Sequence, residues 1–283
     1  MHKAEIIILA GQSNAVGVGH TKYLKDHFDA PIIKKFYNGY DSVLINYYSH
    51  AKKSDGFVPV TVNCTEVAKD TLGPEVGIAK YLFDHYPDRK FYIVKFAVGG
   101  VNLNYDWLSQ SSGAPYSNNA SVNEVPNLLE SLAKGQRPSA GWCYNGLKDL
   151  LHQSIDLLEK QGLDPKIKAF FWMQGESDAC EKQHVIEYIR RYDNLLSDLN
   201  LEFKDYFDNC VYVDAGISNT WQFYDQMNKQ KAAYAKDKGY KFIDTIANGL
   251  TTTREPIECP DVAHYDCDST VKLGELFAKY SGL

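Results

Sequence analysis

Short apolar runs alternate with amphipathic stretches along most of this chain. Runs that are rich in β-branched or aromatic residues predict strands at residues 6–10, 32–37, 91–97, 168–173, 211–214 and 241–244. Apolar residues at three-to-four spacing predict helices at residues 74–86, 145–161, 181–199, 222–238 and 269–280. Regular alternation of strand and helix is typical of parallel strands with helices on both faces. The predicted fold class is therefore α/β, a three-layer α/β/α sandwich with a central parallel sheet.

Two long stretches, residues 38–70 and 101–141, interrupt this alternation. Both are rich in Asn, Ser, Tyr and Gly and show little helical period. Irregular loops of that length in a compact domain are usually functional or disordered, and both of these adjoin predicted strand ends. Because no linker, repeat or charge block marks a boundary, we predict a single domain over residues 1–283.

Composition excludes several classes of partner. The chain has 283 residues, of which 44% are hydrophobic and 23% charged, as expected for a globular protein with a sizeable core. A formal net charge of −6 argues against nucleic acid or an anionic membrane as a partner. No apolar run is long enough to cross a bilayer. The first strand begins close to Met1, which predicts a cytoplasmic protein or a chain that starts at a mature N-terminus. The oligomeric state stays open.

The six cysteines allow two interpretations. They are scattered, as free thiols would be, but a bridge between Cys259 and Cys267 would brace the loop between them. No Cys-x-x-Cys pair and no His-Glu-x-x-His motif occurs. We therefore expect neither a metal nor any other cofactor.

The junction at Gly11-Gln12-Ser13-Asn14 is the first candidate for chemistry. It follows the apolar run Glu5-Ile6-Ile7-Ile8-Leu9-Ala10, which places Ser13 at the carboxyl end of a predicted strand, where open α/β sheets bind ligands. A serine becomes a nucleophile there if a base and hydrogen-bond donors lie nearby. A phosphate-binding loop over residues 11–19 is the alternative. That segment lacks both the P-loop ending and the dinucleotide-binding spacing of glycines.

Asp261-Val262-Ala263-His264 is the candidate source of the base. Residues three apart in a turn can face the same way, so the Asp261 carboxylate can orient the His264 imidazole and stabilise its protonated form. An exposed pair of solvated side chains would have the same spacing.

Two further strand ends carry residues suited to stabilising an oxyanion. Gln174-Gly175-Glu176-Ser177-Asp178 follows the strand predicted at residues 168–173. It forms either a polar turn that caps a helix or a site in which the Gln174 amide donates to the oxyanion. Gly99 and Gly100 follow the strand at residues 91–97. They form either an ordinary turn or an opening through which a backbone N–H reaches the same oxyanion.

These blocks together resemble the SGNH hydrolases, in particular the carbohydrate-esterase branch that contains sialate O-acetylesterases and certain acetylxylan esterases. The resemblance spans nearly the whole chain and implies a flavodoxin-like sandwich. The matching blocks are Ala10-Gly11-Gln12-Ser13-Asn14, Gly99-Gly100, Trp172-Met173-Gln174-Gly175-Glu176-Ser177-Asp178 and Asp261 with His264. Two departures, Ala15 for the usual Met and Met173 for a common His, do not affect proton transfer.

The resemblance implies a serine esterase that removes O-acetyl groups from a carbohydrate such as acetylated xylan, an oligosaccharide or sialic acid. Ser13 is then the nucleophile, His264 the base and Asp261 the acid that orients it. The implied oxyanion donors are the N–H groups of Ser13 and Gly100 and the Gln174 side chain. Four residues are assigned supporting or substrate-binding roles: Asn14, Gly99, Glu176 and Trp107.

Aromatic residues of the two loops suit a surface that stacks on sugars, although core packing is their commoner use. They are Tyr40, Tyr47, Tyr48, Tyr105, Trp107, Tyr116 and Trp142. Two other functions remain open: a non-catalytic carbohydrate-binding protein on the same fold, and a general short-chain SGNH esterase.

Overall fold

The computed structural model describes residues 2–64 and 70–283, so that residues 65–69 of the predicted loop at 38–70 lie outside the described residues. A central sheet has the strand order β10-β9-β8-β1-β7-β3-β4, with β5 paired to β3. The strands are β1 (Lys3–Gly11), β2 (Gly19–His20), β3 (Tyr40–Ser49), β4 (Lys52–Lys53), β5 (Val58–Val60), β6 (Thr71–Leu72), β7 (Phe91–Ala97), β8 (Asp164–Met173), β9 (Phe207–Ala215) and β10 (Lys241–Ile243). From β10 to β3 all neighbours are parallel, whereas β4 and β5 pair antiparallel with β3. Strands β2 and β6 form a separate antiparallel pair.

Helices cover both faces of this sheet. They are α1 (Ser13–Val16), α2 (Leu24–His27), α3 (Ala30–Asn38), α4 (Glu75–His85), α5 (Leu128–Ala133), α6 (Trp142–Lys160), α7 (Lys182–Glu202), α8 (Tyr224–Lys238) and α9 (Cys267–Ser281). Successive side chains of a strand point to opposite faces. Accordingly, Phe171 of β8 stacks on Phe277 of α9, while its neighbour Trp172 stacks on Tyr192 of α7. The predicted α/β class with a helix-flanked, mostly parallel sheet is confirmed.

Strand β1 lies at the centre of the sheet, and the chain passes to opposite sides of it. From β1 the chain builds β3 and β7 on one side and then β8, β9 and β10 on the other. Ile6, Ile7, Ile8 and Leu9 are completely buried, as a strand covered on both faces requires. Ligands of open α/β sheets bind in the crevice at such a reversal, outside the carboxyl ends of the strands. Ser13 follows the carboxyl end of β1.

The prediction of a strand at residues 32–37 is wrong, because this segment lies in helix α3. Pro31 fits the first turn of a helix, where its missing N–H costs nothing, and Gly39 ends the helix at a positive φ of 87°. Phe36 is buried, and Ile32 and Ile33, one turn earlier, pack against the core. The two β-branched isoleucines suggested a strand, but the spacing of the apolar residues is helical.

The first long stretch, residues 38–70, is not the irregular loop that was predicted, because it contains β3, which extends the sheet beside β7, and the short strands β4 and β5. The second long stretch, residues 101–141, has little regular structure, as expected. It contains short 3₁₀ turns and helix α5. Side chains fix its backbone: the Asn145 amide donates to the carbonyl oxygens of Ser117 and Ala120, at 3.0 Å each. Ser121 and Glu124 form a reciprocal capping box. This loop is therefore held to α6.

All six cysteines are free, which contradicts the predicted alternative of a bridge between Cys259 and Cys267. Cys259 is exposed, whereas Cys267 is buried at the start of α9.

None of the helices among the described residues is long and apolar enough to cross a membrane.

Candidate active site

Ser13 is held in a tight turn at the end of β1. Gly11 has a φ of 149°, and a β-carbon there would lie 1.9 Å from the carbonyl oxygen of Met173 in β8. Only glycine allows the two strand ends to approach so closely. Ser13 begins the short helix α1, directly after the carboxyl end of β1, and is 9% exposed.

The Asp261–His264 segment is a turn that joins the two side chains. The Asp261 carbonyl oxygen accepts the His264 N–H at 3.1 Å, and Asp261 Oδ1 accepts the Ala263 N–H at 3.1 Å. Asp261 Oδ2 lies 2.6 Å from His264 Nδ1. A carboxylate bonded to Nδ1 fixes the proton there and leaves Nε2 free to accept one.

Asn14 connects the turn that holds Ser13 to the turn that holds His264. Its Nδ2 donates to the carbonyl oxygen of Ala263 at 3.3 Å, and its Oδ1 accepts the N–H of Tyr265 at 3.0 Å. The residue after Ser13 is therefore bonded to the residues on both sides of His264. These two hydrogen bonds bring together two motifs that lie about 250 residues apart in the sequence.

Glu176 holds the Asn14 side chain in place through a buried hydrogen bond. Its Oε1 accepts a 2.7 Å hydrogen bond from Asn14 Nδ2, and the side chain is completely buried. Burial raises the pKa of Glu176, and the bond from Asn14 opposes that rise. Glu176 is therefore linked to the His264 turn through Asn14, and its supporting role stays a prediction.

The Gly99–Gly100 turn leaves one backbone donor free. The Gly99 N–H donates to His50 Nδ1 at 3.1 Å. Among the described residues, neither Gly100 N–H nor Ser13 N–H has an acceptor in the protein. Arg137 Nη2 donates to the Gly100 carbonyl oxygen at 3.1 Å, which fixes the orientation of this turn. Gly100 has a φ of 72°, a conformation that favours glycine.

Asp106 is an anchor for this turn that sequence analysis missed. It is fully buried, and its carboxylate accepts bonds from Arg137, from the Asn102 N–H at 2.8 Å and from Trp142 Nε1 at 2.8 Å. A lone acidic residue in an irregular loop gives no sequence signal of such a role.

Gln174 is bonded differently from its predicted role. Its Nε2 donates to Asp178 Oδ2 at 2.6 Å and to Gln12 Oε1 at 3.2 Å, and the side chain is completely buried. An amide nitrogen carries two hydrogens, so both are used inside the protein. The oxyanion role of Gln174 stays a prediction that requires one of these bonds to be exchanged.

Trp107 is buried and cannot stack on a sugar, so its predicted role as a substrate-binding residue is wrong. It is 0% exposed and packs edge-to-face against Phe96 and Trp172. Trp142 and Tyr40 of the predicted aromatic set are also buried. These rings pack in the core, which is the commoner use of large aromatic side chains.

Comparison with known protein families identifies the family of this chain. A family model described as "Carbohydrate esterase, sialic acid-specific acetylesterase" matches residues 3–281. The chain belongs to this family. It is therefore a carboxylic ester hydrolase of the acetylesterase type, as the resemblance of its motifs implied. No significant match was found among curated proteins.

Solved structures share the fold of this esterase at low sequence identity. A protein from Arabidopsis thaliana is 17% identical with a TM-score of 0.62, over 98% of this chain and 97% of that one. The protein NanS is 16% identical with a TM-score of 0.64, over 99% and 96% of the two chains. A carbohydrate acetylesterase from Xanthomonas citri is 13% identical with a TM-score of 0.56, over 97% of this chain and 55% of that one.

Two buried lysines fix the backbone beneath the site of this esterase. Lys95 Nζ donates at 2.7 Å to the carbonyl oxygen of Val16, three residues after Ser13, and pairs with Glu75 at 2.6 Å. Lys231 Nζ donates at 2.6 Å to the carbonyl oxygens of both Gln174 and Ala215, which lie at the ends of β8 and β9.

Lys231 also pairs with Asp214 at 3.0 Å, and both side chains are buried. Burial raises the pKa of Asp214 to about 6, because the loss of hydration outweighs the attraction of Lys231.

One group of side chains among the described residues has the composition of a metal site. Ligand atoms of His27, Glu255 and Asp268 lie within 4.8 Å of one another. Glu255 is already engaged, since Oε1 lies 2.9 Å from His27 Nε2 and Oε2 accepts the Cys267 N–H at 2.6 Å. These bonds brace the segment that leads to Asp261. The expectation that no metal is needed stays untested.

Proposed function

We propose that this esterase removes O-acetyl groups from a carbohydrate through an acyl-enzyme on Ser13. The observation that carries the proposal is the pair of hydrogen bonds between Asn14 and the residues on both sides of His264, one donated and one accepted by Asn14. These bonds couple the position of the base to that of the nucleophile. The 2.6 Å contact between Asp261 and His264 supports the same assignment.

In the first half-reaction, Ser13 Oγ attacks the ester carbonyl carbon while His264 Nε2 takes its proton. Collapse of the tetrahedral intermediate breaks the bond to the sugar oxygen, which receives that proton. In the second half-reaction, His264 removes a proton from water, which attacks the acetyl group. Acetate leaves, and the proton returns to Ser13. Asp261 stabilises the imidazolium in both steps.

The negative charge of the tetrahedral intermediate is stabilised by backbone donors. The N–H groups of Ser13 and Gly100 have no acceptor among the described residues, so they are available to the carbonyl oxygen of the ester. The bond from Arg137 to the Gly100 carbonyl oxygen supports the orientation of this donor.

The role of Ser13 is tested by measuring acetate release from acetylated xylan, O-acetylated sialic acid and an aryl acetate. Ser13→Ala should lower kcat/KM by at least about a thousandfold on each substrate the wild type accepts, because it removes the nucleophile. An active-serine probe should label the wild type and not this variant. More than a tenth of the wild-type activity in Ser13→Ala would overturn the proposal.

Acyl preference separates the proposal from a general short-chain esterase. The family name supports acetyl esters, and a carbohydrate acetylesterase should turn over acetylated sugars faster than longer acyl esters of the same alcohol. A preference for butyryl or longer esters would favour the general esterase.

A further inference from the structure

His50 lies beside Ser13, although no sequence motif marks it. It follows the last residue of β3, and its backbone N–H donates to the Ala97 carbonyl oxygen at 2.8 Å. His50 and the following Ala51 both have positive φ, 57° and 111°. Such conformations are uncommon for residues other than glycine, and they concentrate at functional sites. Here they turn the His50 side chain toward the Gly99 turn.

The imidazole of His50 is held in one tautomer. Its Nδ1 accepts the Gly99 N–H at 3.1 Å, so Nδ1 carries no proton and the neutral ring carries its proton on Nε2. Among the described residues, Nε2 has no hydrogen-bond partner. Burial lowers the pKa of His50, and the nearby His264 lowers it further. The ring is therefore a neutral donor with a free N–H.

His50 and Ser13 border the same space above Gly99. A β-carbon on Gly99 would lie 3.0 Å from His50 Cε1, 3.2 Å from His50 Nδ1 and 3.8 Å from Ser13 Cβ. Gly99 has an ordinary φ, so the close approach of these side chains accounts for the glycine. An ester carbonyl attacked by Ser13 Oγ would be within reach of the His50 ring.

We propose that His50 binds the ester group of the substrate by donating its Nε2–H to an ester oxygen. This inference rests on the proposed function of Ser13. A neutral imidazole suits this role, because it polarises the ester without competing with His264 for the proton of Ser13. The bond from Gly99 keeps the ring in the donating tautomer before the substrate binds.

His50→Asn separates donation from simple support of the turn. Asparagine tolerates positive φ, and its Oδ1 takes the place of Nδ1, so the bond from Gly99 can remain. Its side chain has no N–H at the position of Nε2. We expect kcat/KM to fall about 10- to 100-fold, equally on an aryl acetate and on an acetylated sugar, because both carry the ester. His50→Phe, which loses both bonds, should fall at least as far.

The matched control is His85→Asn in α4, where the ring stacks on Tyr81. It should leave kcat/KM unchanged. Activity of His50→Asn within twofold of the wild type would overturn the proposal and leave His50 a support for Gly99. A loss confined to the sugar substrate would also overturn it, since the donor would then contact the sugar.

A second measurement does not depend on turnover. Imidazole ¹⁵N shifts of the free enzyme should show an unprotonated Nδ1 and a protonated Nε2 for His50, and the reverse assignment would overturn the proposal. If Ser13→Ala retains activity, the proposed function fails while this tautomer can still be measured. If Ser13→Ala is inactive and His50→Asn is fully active, only the role of His50 fails.

Discussion

At the scale of single residues, the two acids near His264 should differ in their effects. Asp261 contacts His264 Nδ1 directly, whereas Glu176 contacts Asn14. Asp261→Asn should lower kcat/KM by about 10²- to 10⁴-fold. The variant no longer holds the proton of His264 on Nδ1, and it removes the negative charge that stabilises the imidazolium. Glu176→Gln should cost less than about tenfold, since the glutamine oxygen can still accept from Asn14. Steady-state kinetics of both variants at one pH decides this. A larger loss in Glu176→Gln would mean that the acid has been misassigned.

Gly99→Ala should block the site without unfolding the protein. The added methyl group would lie 3.0 Å from His50 and would narrow the space beside Ser13. We expect a fall in kcat/KM of about tenfold or more with little change in thermal stability, because one side chain has to move. Gly113→Ala is the control, since nothing lies within 4 Å of its β-position. Gly113 has a positive φ of 73°, so alanine there should lower the thermal stability without changing kcat/KM. Full activity of Gly99→Ala would contradict the crowding inferred here.

How far the site could be predicted also depends on single residues. Ser13, Asp261 and His264 belong to short motifs of local spacing, so the sequence alone is enough to predict catalytic roles for them. His50 and Asp106 depend on contacts with residues about 30 or more positions away, which no local motif marks. Trp107 shows the opposite case, since its residue type suits both a sugar site and a core. The residue type alone cannot distinguish these two uses. The packing of Trp107 against Phe96 and Trp172 shows that it belongs to the core.

At the scale of elements, strand β3 was missed because polar residues interrupt it. Asn46 and Ser49 are buried in a strand that a continuous apolar run would have predicted. Asn46 Nδ2 donates to Ser154 in α6 at 2.9 Å, and Asn46 Oδ1 accepts from Ser54 at 2.8 Å. Buried polar groups are tolerated where such partners exist, and the partners become known only with the tertiary structure. The predicted elements at residues 91–97 and 145–161 also bury polar side chains, Lys95 and Asn145 among them, but their apolar patterns are clear enough that both elements were confirmed within a few residues.

Helix α8 offers a test of how the buried ion pair supports the strand ends. Lys231→Met leaves Asp214 buried without its partner and removes the donor to Gln174 and Ala215. We expect a loss of about 3–5 kcal/mol in the free energy of unfolding near neutral pH. Lys229→Met, on the same helix, removes a solvent-exposed pair with Asp225 and should change nothing measurable. Urea unfolding of both variants measures the difference, and equal stabilities would contradict the role of Lys231.

The pH dependence of that loss follows from Asp214. Its pKa is raised to about 6 from 3.8, so between these values the folded state holds more protons than the unfolded state. Stability contributed by this carboxyl therefore falls as pH rises through that window. Without Lys231 the pKa rises further and the penalty extends to higher pH. The loss in Lys231→Met should accordingly be smaller at pH 5 than at pH 8, and a loss independent of pH would contradict this account.

At the scale of the whole molecule, the order of strands explains why distant motifs meet. The regular alternation of strand and helix was enough to predict parallel strands whose carboxyl ends lie on one edge of the sheet. Ser13 and Gly99 follow adjacent strands, β1 and β7, and His50 follows β3 next to them. The order itself could not be predicted, because it depends on where β3 pairs. With that strand missed, the neighbour of Gly99 was missed too.

The distribution of cysteines gives a last test of the whole fold. Cys180 and Cys259 are exposed, and the other four are wholly or partly buried. Burial raises the pKa of both Cys64 and Cys210 to about 12, so almost none of the reactive thiolate forms at these two positions at neutral pH. A colorimetric disulfide reagent should therefore titrate two thiols rapidly in the native enzyme and six in denaturant without reductant. The double variant Cys180→Ser and Cys259→Ser should lose the rapid phase and keep its activity. Fewer than six thiols in denaturant would indicate a disulfide and would contradict the six free cysteines of the structure.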